Sequence, residues 1–385
     1  MAQFFSKLFS KPFFHSQRNI SLLYLIVAVL VSLKIYFLET WDNYDCFTAS
    51  FDHLRNYLDL YKPYPLEYQT LFVYSPSFAV LMGVYNFFPE GIGIILWNLT
   101  HTISFIAAIH LLPVEEKNKV FLLWFCLVEF ITAAENVQTN ASVAALIMLV
   151  FVFQQKEKIN WSSFFFAAGI FFKIYVLTSG VFFLCFKNRF AFAIKVLAWS
   201  LLFFALPCLF ISFDQLILLY GSWLERLQKQ SARHSLSLLG VIDLLHIKGL
   251  QQGFIIIGGV ITMLVVLLKK EVYENLHFQL LYLGALLMFT IIFNPGVESP
   301  TYIIAVPGVA LWYLYGPKKK WRKFLLILVF VFTCLSPTEV FPRFIRDQVF
   351  NPLHIKTIPV IVAWFVCIFE LLSWKSVSPQ INIQK

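Results

Sequence analysis

Long apolar stretches with few charged residues recur along nearly the whole chain, and they constrain the fold more than any other feature. The longer stretches have enough residues to cross the roughly 30 Å hydrocarbon layer of a membrane as α-helices. Of the 385 residues, 59% are hydrophobic and 13% are charged, whereas a soluble domain carries about 25% charged residues. A soluble all-α protein could not bury so many apolar stretches. The sequence therefore predicts an all-α, polytopic integral membrane protein.

About twelve stretches are candidate membrane spans, and several are shorter than the roughly 17 residues that a span needs. They are 21–38, 72–88, 92–112, 120–134, 141–153, 161–186, 191–212, 253–268, 276–293, 302–315, 324–335 and 358–373. Neither a linker nor an internal repeat divides the sequence. We therefore treat residues 1–385 as a single domain.

Lysine and arginine occur mainly in short clusters between the apolar stretches, the largest at 318–323. Loops rich in these residues stay in the cytoplasm. The basic N-terminus therefore predicts that both chain termini are cytoplasmic and that residues 39–70 lie on the non-cytoplasmic side. Residues 213–252 and 336–354 are further outer loops, and 294–302 opens on the same side. Because the net charge of +9 comes from these clusters, it does not indicate a nucleic-acid partner.

The side on which "ENVQTN" (135–140) emerges stays open at this point. The charges of the preceding loop, 115–119, cancel and give no bias. Simple alternation of spans places 135–140 inside. A break within the long 161–186 stretch, balanced by a half-span earlier in the chain, places it outside.

The first outer loop contains acidic residues at helical spacing. Asp45, Asp52 and Asp59 recur every seven residues, which places them on one face of a helix. The opposite positions are apolar, namely Phe47, Phe51, Leu54 and Leu58. We predict an amphipathic helix at the membrane surface, with Asp52 and Asp59 on its solvated face.

Asp42 and Asp45 are the candidate catalytic residues. Both lie where the chain leaves the first span, within the stretch "WDNYDCF" (41–47). A carboxyl group that is partly desolvated there has a raised pKa, which suits a general base. Capping of a surface helix is the alternative interpretation.

Three uncharged polar residues are candidate substrate contacts. Tyr74 lies in "VYSPSF" (73–78), where Pro76 predicts the first turn of the second span, and its hydroxyl is expected to point back to the aqueous face. Gln138 and Asn140 are amides between two apolar helices. They either bind a sugar or phosphate, or they satisfy helix ends.

Lys173 is the most isolated charge in the apolar part of the chain. An ionisable residue at membrane depth is a functional hypothesis by default, and a lipid phosphate is the expected ligand. The alternative is a side chain that reaches the interface from a helix end. Glu298 follows the "NPG" break and is predicted to be a second acid beside the first outer loop.

Arg233 and His234, with Arg226 and Lys229, form a cationic group in the second outer loop. Positive charge there opposes the usual loop bias. Arginine binds phosphate through paired donors, so a lipid phosphate is a candidate ligand. Anionic lipid headgroups explain the group equally well.

Six stretches follow one another in an order that resembles the polytopic glycosyltransferases of family 87, in the GT-C superfamily. They are "NYDCFTASFDHLRNYLDLY" (43–61), "FVYSPSFAVLMGVYNFFP" (72–89), "LWNLTH" (96–101), "QTNASVAAL" (138–146), "FKIYVL" (172–177) and "NPGVESPTYIIAV" (294–306). The resemblance spans most of the chain. Many members of this family are mannosyltransferases that use polyprenyl-phosphate mannose.

The resemblance implies transfer of a mannose-like hexose from a polyprenyl-phosphate donor to a hydroxyl of a glycan or glycolipid. The reaction would invert the anomeric carbon on the non-cytoplasmic face, here of a bacterial cytoplasmic membrane. It further implies a donor-phosphate contact at Lys173 and polar site residues at Gln138 and Asn140. The family's acid in the first outer loop corresponds to Asn43, a substrate-binding candidate that cannot act as a base. The base would then be Asp42 or Asp45.

No cofactor is expected besides the lipid-linked sugar, and no Asp-x-Asp metal motif occurs in the sequence. Metal dependence stays open. A flippase or transporter of lipid-linked sugars is the main alternative function, because such proteins also carry ionisable groups at membrane depth. An inactive scaffold is a second alternative, since Asn43 replaces the expected acid.

Overall fold

The structure is a computed structural model that describes residues 12–184, 188–229, 235–247 and 251–374. Within these ranges the chain forms helices and no β-strand, which confirms the all-α prediction. The α-helices of the first half are α1 (Gln17–Leu38), α2 (Asp42–Arg55), α3 (Pro76–Met82), α4 (Glu90–Leu111), α5 (Glu116–Glu135), α6 (Asn140–Gln155) and α7 (Ile159–Phe172).

The second half continues the helical architecture. Its α-helices are α8 (Arg189–Ala205), α9 (Phe213–Gln228), α10 (Leu238–Leu244), α11 (Gln252–Val266), α12 (Leu276–Ile292), α13 (Ala305–Tyr315), α14 (Lys320–Val329), α15 (Arg343–Ile345) and α16 (Ile358–Leu372). Two 3₁₀ segments, Ile174–Leu184 and Ser299–Ile303, lie next to the site described below.

Within the described ranges, three helices are long and apolar enough to cross a membrane: Gln17–Leu38, Glu90–Leu111 and Arg189–Leu209. Six further apolar helices are shorter: Asn140–Gln155, Ile159–Phe172, Ile174–Leu184, Gln252–Val266, Leu276–Ile292 and Ile358–Leu372. The predicted number of about twelve spans is therefore not confirmed. The apolar side chains Phe190, Ile194 and Leu197 project from α8 without cover, which is consistent with contact to lipid.

Helices α12 and α13 pack closely at the centre of the second half. Most side chains of α12 are buried, as they are in α6. At the crossing, a Cβ atom added to Gly284 would lie 2.7 Å from the carbonyl oxygen of Gly308, and one added to Gly308 would lie 2.5 Å from that of Gly284. Glycine at both positions is therefore what allows the two backbones to approach so closely.

The predicted span 72–88 is not one helix. Helix α3 begins where proline predicted it, with Pro76 in the first turn and the Ser75 hydroxyl accepting a bond from the Phe78 amide at 3.2 Å. It ends at Met82 after only seven residues. The preceding residues 71–75 are not helical, and the indole of Trp223 donates to the carbonyl oxygen of Val73 at 3.1 Å. Side chains thus satisfy backbone groups that a continuous helix would have satisfied.

The predicted span 161–186 is broken at Lys173. Helix α7 ends at Phe172, Lys173 is extended (φ −155°, ψ 124°), and the 3₁₀ segment Ile174–Leu184 follows. The amide of Lys173 still donates to the carbonyl oxygen of Gly169 at 2.7 Å. The continuous span was therefore a wrong prediction. The break is the one that the second topology for 135–140 required.

Residues 135–140 lie beside residues 39–70. The Lys34 ammonium at the end of α1 is 2.6 Å from the Glu135 carboxylate, and the Asn43 amide donates to the carbonyl oxygen of Asn136 at 2.9 Å. Placement of the two segments at opposite ends by simple alternation is therefore wrong. We call the end of the bundle that holds both segments the site end.

The predicted amphipathic helix is shorter than its acidic pattern indicated. Helix α2 ends at Arg55. Tyr57 then adopts a left-handed φ of 59°, and its hydroxyl accepts a bond from the Ser212 amide at 3.2 Å. Asp59 and the exposed Leu58 therefore lie outside the helix, contrary to prediction. Phe47, Phe51 and Leu54 are buried as expected.

Candidate functional site

Polar side chains from four separate segments meet at the site end, next to the break after α7. We call this group the polar cluster. Its members are Tyr74, Gln138, Thr139, Asn140, Lys173, Tyr175 and Glu298. Five of the seven were singled out from the sequence as substrate-binding candidates, and the fold brings them together across long sequence separations.

Lys173 is the cation of the polar cluster. Its ammonium donates to the side-chain oxygen of Asn140 at 2.9 Å. The same nitrogen lies 4.8 Å from the ring centroid of Tyr175 and 5.7 Å from that of Tyr74. Aromatic faces attract a cation without neutralising it. The break after Phe172 thus places a positive charge among rings and an amide rather than against a carboxylate.

Two amides join Lys173 to the acid of the polar cluster. The Asn140 amide nitrogen donates to the Gln138 side-chain oxygen at 3.2 Å. The Gln138 amide nitrogen in turn donates to a carboxylate oxygen of Glu298 at 3.4 Å. Among the contacts of the described residues, Lys173 and Glu298 are therefore connected through amides and not by a direct ion pair.

The turn that carries Glu298 is fixed by bonds to two other segments and by a bond within the turn itself. The Tyr175 hydroxyl donates to the carbonyl oxygen of Gly296 at 3.0 Å, and the Val297 amide donates to the Ser235 hydroxyl at 3.2 Å. The Glu298 amide donates to the Thr301 hydroxyl at 3.3 Å. The backbone is held on both sides, while the carboxylate itself is exposed to solvent.

Tyr74 does not point to the aqueous face as predicted. Its side chain is buried, its hydroxyl is 3.0 Å from that of Thr139, and its ring stacks on Phe78 with a centroid distance of 4.2 Å. Tyr74 is thus a buried member of the polar cluster.

Asp42 is engaged by the backbone of its own loop. One carboxylate oxygen accepts a bond from the Gln69 amide at 2.6 Å, and the other accepts one from the Thr70 amide at 2.9 Å. These two bonds close the loop 39–70 at its base. Asn43, the next residue, faces the carbonyl of Asn136.

Asp45 lies on a different side of α2 from Asn43, about 160° around the helix axis at 3.6 residues per turn. Burial raises the pKa of its carboxyl to about 6, and the charges of Glu90 and Asp42 add to the increase, while a hydrogen bond from Trp41 opposes it. The raised pKa matches the sequence-based expectation for a general base. The position places Asp45 next to the start of α4.

The cationic group of the second outer loop is only partly described. Lys229 pairs with Glu225 one turn earlier on α9, at 2.6 Å. Arg233 and His234 lie outside the described residues. Their predicted contact with a lipid phosphate therefore stays a prediction.

An apolar groove of about 780 Å³ begins beside the polar cluster. Tyr175, Asn294 and Pro295 line one end of it. Along the groove, Leu177 from the 3₁₀ segment and Val260 from α11 are exposed apolar side chains. The groove thus connects the polar cluster with the apolar outer surface of the bundle.

Sequence reasoning missed Thr139 and Tyr175. Tyr175 lies two residues after the isolated lysine, and an aromatic residue that close to a lone cation was a usable signal. Thr139 carried no such signal, because its role depends on Tyr74, which is 65 residues away. Within the described ranges, His, Cys, Asp and Glu form no group of three or more that could hold a metal ion.

The sequence matches the model of a known protein family. The sequence model of glycosyltransferase family 87 matches residues 72–294, which is more than half of the chain. The matched region includes Tyr74, Gln138, Asn140 and Lys173 of the polar cluster. None of the curated proteins compared with the sequence matches it. The family match agrees with the order of motifs in the sequence, and the protein belongs to glycosyltransferase family 87.

Proposed function

We propose that the protein transfers a mannose-like hexose from a polyprenyl-phosphate donor to a hydroxyl of a glycan or glycolipid acceptor, with inversion at the anomeric carbon. Family membership supports glycosyl transfer. The observation that carries the choice of a lipid-phosphate donor is the position of Lys173. It is a cation at a helix break, at the point where an apolar groove meets the polar cluster.

Lys173 is the proposed contact for the donor phosphate. An ammonium group has three N–H donors, and Asn140 accepts from one of them. Lysine binds phosphate as a point charge. The rings of Tyr74 and Tyr175 hold the ammonium in place without cancelling its charge. A phosphate leaving group develops negative charge as its bond to the sugar breaks, so a fixed cation there stabilises the transition state.

The apolar groove supports a lipid on that phosphate. Tyr175 contributes its ring to Lys173 and also lines the groove. A ligand with its phosphate at Lys173 therefore has an apolar surface beside it along which a hydrocarbon chain can lie. Burial of that chain contributes about 25 cal/mol per Å² of apolar surface. A water-soluble sugar nucleotide would leave this surface unused.

The amides and acids in and beside the polar cluster are proposed to bind the sugar and the acceptor. Asn43, Gln138 and Asn140 supply hydrogen-bonding groups of the kind that orient sugar hydroxyls. A carboxylate is required to take the proton of the acceptor hydroxyl. Asp45 and Asp42 are the candidates of the first loop, and Glu298 lies in the polar cluster itself.

The proposed setting is a bacterial cytoplasmic membrane, with the site end on the non-cytoplasmic face and both termini in the cytoplasm. The clustering of Lys and Arg between apolar stretches supports this orientation. The proposal includes no cofactor besides the lipid-linked sugar, and metal dependence is tested directly in the assay below by addition of EDTA.

The test uses the purified protein in lipid vesicles with radiolabelled polyprenyl-phosphate mannose and a crude membrane glycan fraction as acceptor. We expect label to move into the acceptor fraction, and uridine- or guanosine-diphosphate sugars to give none. Labelled lipid that crosses the vesicle without loss of its sugar would favour the flippase. If neither transfer nor transport occurs, the inactive scaffold is favoured and the proposal fails.

A further inference from the structure

We propose that Glu298 is the general base of the transfer, the group that takes the proton of the acceptor hydroxyl. This inference rests on the proposed function. It concerns a residue of the turn 294–302 rather than an acid of the first outer loop. Three features of the structure support this role: the engagement of the other acids, the lack of direct contact between Glu298 and Lys173, and the fixed backbone of the turn.

The other acids near the polar cluster already have partners or face elsewhere. Both carboxylate oxygens of Asp42 accept backbone amides. Asp45 lies on the side of α2 next to Glu90, away from Asn43. Glu135 pairs with Lys34 at 2.6 Å. Glu298 forms a capping box with Thr301, but its carboxylate remains exposed and accepts a bond from a member of the polar cluster, the amide of Gln138.

Among the contacts of the described residues, Lys173 and Glu298 do not touch each other, as an inverting transfer requires. In such a reaction the acceptor attacks the anomeric carbon on the face opposite the leaving group. The base and the phosphate-binding cation must therefore be separated by the width of a sugar. Lys173 and Glu298 are connected through the side chains of Asn140 and Gln138 and not by direct contact. The two amides hold the charges apart and present further polar groups to whatever lies between them.

The Glu298 backbone is held in position before any substrate binds. Asn294 accepts a bond from the Gly296 amide at 2.8 Å within the turn, and the Leu236 amide donates to the carbonyl oxygen of Val297 at 2.9 Å. Tyr175, which touches Lys173, also bonds this turn. One tyrosine therefore fixes the relative position of the cation and the turn that bears the acid, which is the kind of support that catalytic geometry needs.

The proposed step moves one proton and exchanges one bond at the anomeric carbon. The Glu298 carboxylate accepts the proton of the acceptor hydroxyl while the hydroxyl oxygen forms a bond to the anomeric carbon. The bond between the anomeric carbon and the phosphate oxygen breaks, and its electron pair leaves on the lipid monophosphate. Lys173 stabilises that added negative charge. The proton on Glu298 passes to water after the products leave.

The test compares Glu298→Gln with the matched control Glu135→Gln, which changes an exposed acid of the same end of the bundle. In the vesicle assay we expect Glu298→Gln to lower kcat by about 10²–10⁴-fold, the usual contribution of a general base. The KM for the polyprenyl-phosphate donor should stay at the wild-type value, because the amide keeps the contact with Gln138. Glu135→Gln should retain wild-type kcat.

Four outcomes overturn the inference. They are a wild-type kcat in Glu298→Gln, a raised donor KM with wild-type kcat, an equal loss in Glu135→Gln, and a loss in Asp45→Asn that exceeds the loss in Glu298→Gln. If Glu298→Gln does not fold, Glu298→Asp replaces it, because it keeps the charge but withdraws the carboxylate. A lowered kcat with unchanged donor KM then supports the inference, and an unchanged kcat overturns it. Absence of transfer by the wild-type protein would instead count against the proposed function.

Discussion

Lys173 and Lys356 are two cations that lie against tyrosine rings but differ in how they meet an acid. Lys356 lies 5.2 Å from the ring centroid of Tyr302 and directly contacts the buried carboxylate of Glu129 at 2.6 Å. Lys173 lies between the rings of Tyr74 and Tyr175 and reaches its acid only through two amides. The carboxylate of Glu129 neutralises the charge of Lys356, whereas the charge of Lys173 stays available to a ligand.

The Lys356 pair joins distant parts of the chain in the interior. Its acid comes from α5, 227 residues earlier, and both side chains are buried. Arg322 and Glu370 repeat this arrangement between α14 and α16, at 3.1 Å and again buried. Direct contact is what makes a buried charge tolerable. A buried pair in contact therefore marks a structural connection, whereas a cation held near an acid without contact marks a candidate site.

The largest expected effect tests the structural pair. Lys356→Met leaves Glu129 buried without its cation, and we expect a loss of about 3–5 kcal/mol in the free energy of unfolding. Equilibrium unfolding in detergent micelles measures it. The double variant Glu129→Leu with Lys356→Met removes both charges and should recover most of the loss. Equal stability of the single and double variants would contradict the account.

The next largest effect is expected for Lys173, the cation that has no carboxylate in direct contact. Lys173→Met should lower kcat in the vesicle assay by about 10²–10³-fold, or roughly 2.7–4 kcal/mol, as for the loss of one group that stabilises transition-state charge. The free energy of unfolding should change far less than in Lys356→Met, because no carboxylate loses a direct partner. A large loss of stability with normal kcat would instead indicate that Lys173, like Lys356, stabilises the fold and does not act in the reaction.

Asp45 is a third case, an acid whose neighbouring charges, those of Glu90 and Asp42, are also negative. Its pKa is about 6 when folded against an ordinary value of 3.8. The folded chain thus holds the proton more tightly, and stability falls as pH rises between those values. Allowing for solvent screening, Asp45→Asn should add about 1 kcal/mol of stability at neutral pH and nothing near pH 4. Thermal unfolding at the two pH values measures this, and a variant less stable than wild type at neutral pH would contradict it.

The smallest expected effect tests whether contact or burial sets the contribution of an ion pair to stability. Lys34 and Glu135 are in contact at 2.6 Å, yet their side chains are 57% and 37% exposed. Lys34→Gln should therefore lower the free energy of unfolding by less than about 1 kcal/mol. The same unfolding experiment compares it with Lys356→Met. If the two losses were similar, contact rather than burial would set the strength of these pairs.

Several parts of the site could be predicted from the sequence because local chemistry determines them. Pro76 after Ser75 set the start of α3. The isolation of Lys173 in an apolar stretch predicted a functional role for it. In the structure it lies in the polar cluster. Gln138, Asn140 and Glu298 were chosen as polar residues next to apolar helices, and they also meet there.

Other features had no local signal. The break at Lys173 interrupts a stretch that is predominantly apolar on both sides of the lysine, and the side of 135–140 depends on it. Asp42 was a candidate base from the sequence, but in the structure both of its carboxylate oxygens accept bonds from the Gln69 and Thr70 amides. These contacts join residues that are far apart in the sequence, so no spacing or period along the chain predicts them.

The sequence by itself determined that this chain is all-α and rich in apolar helices, because the length and hydrophobic content of each stretch act within that segment. It also determined which polar residues stand out. Only the tertiary structure decided which acids are engaged and which cation remains separated from its acid. That distinction depends on distances between side chains from different helices, and a few ångströms decide whether a charge is neutralised or available.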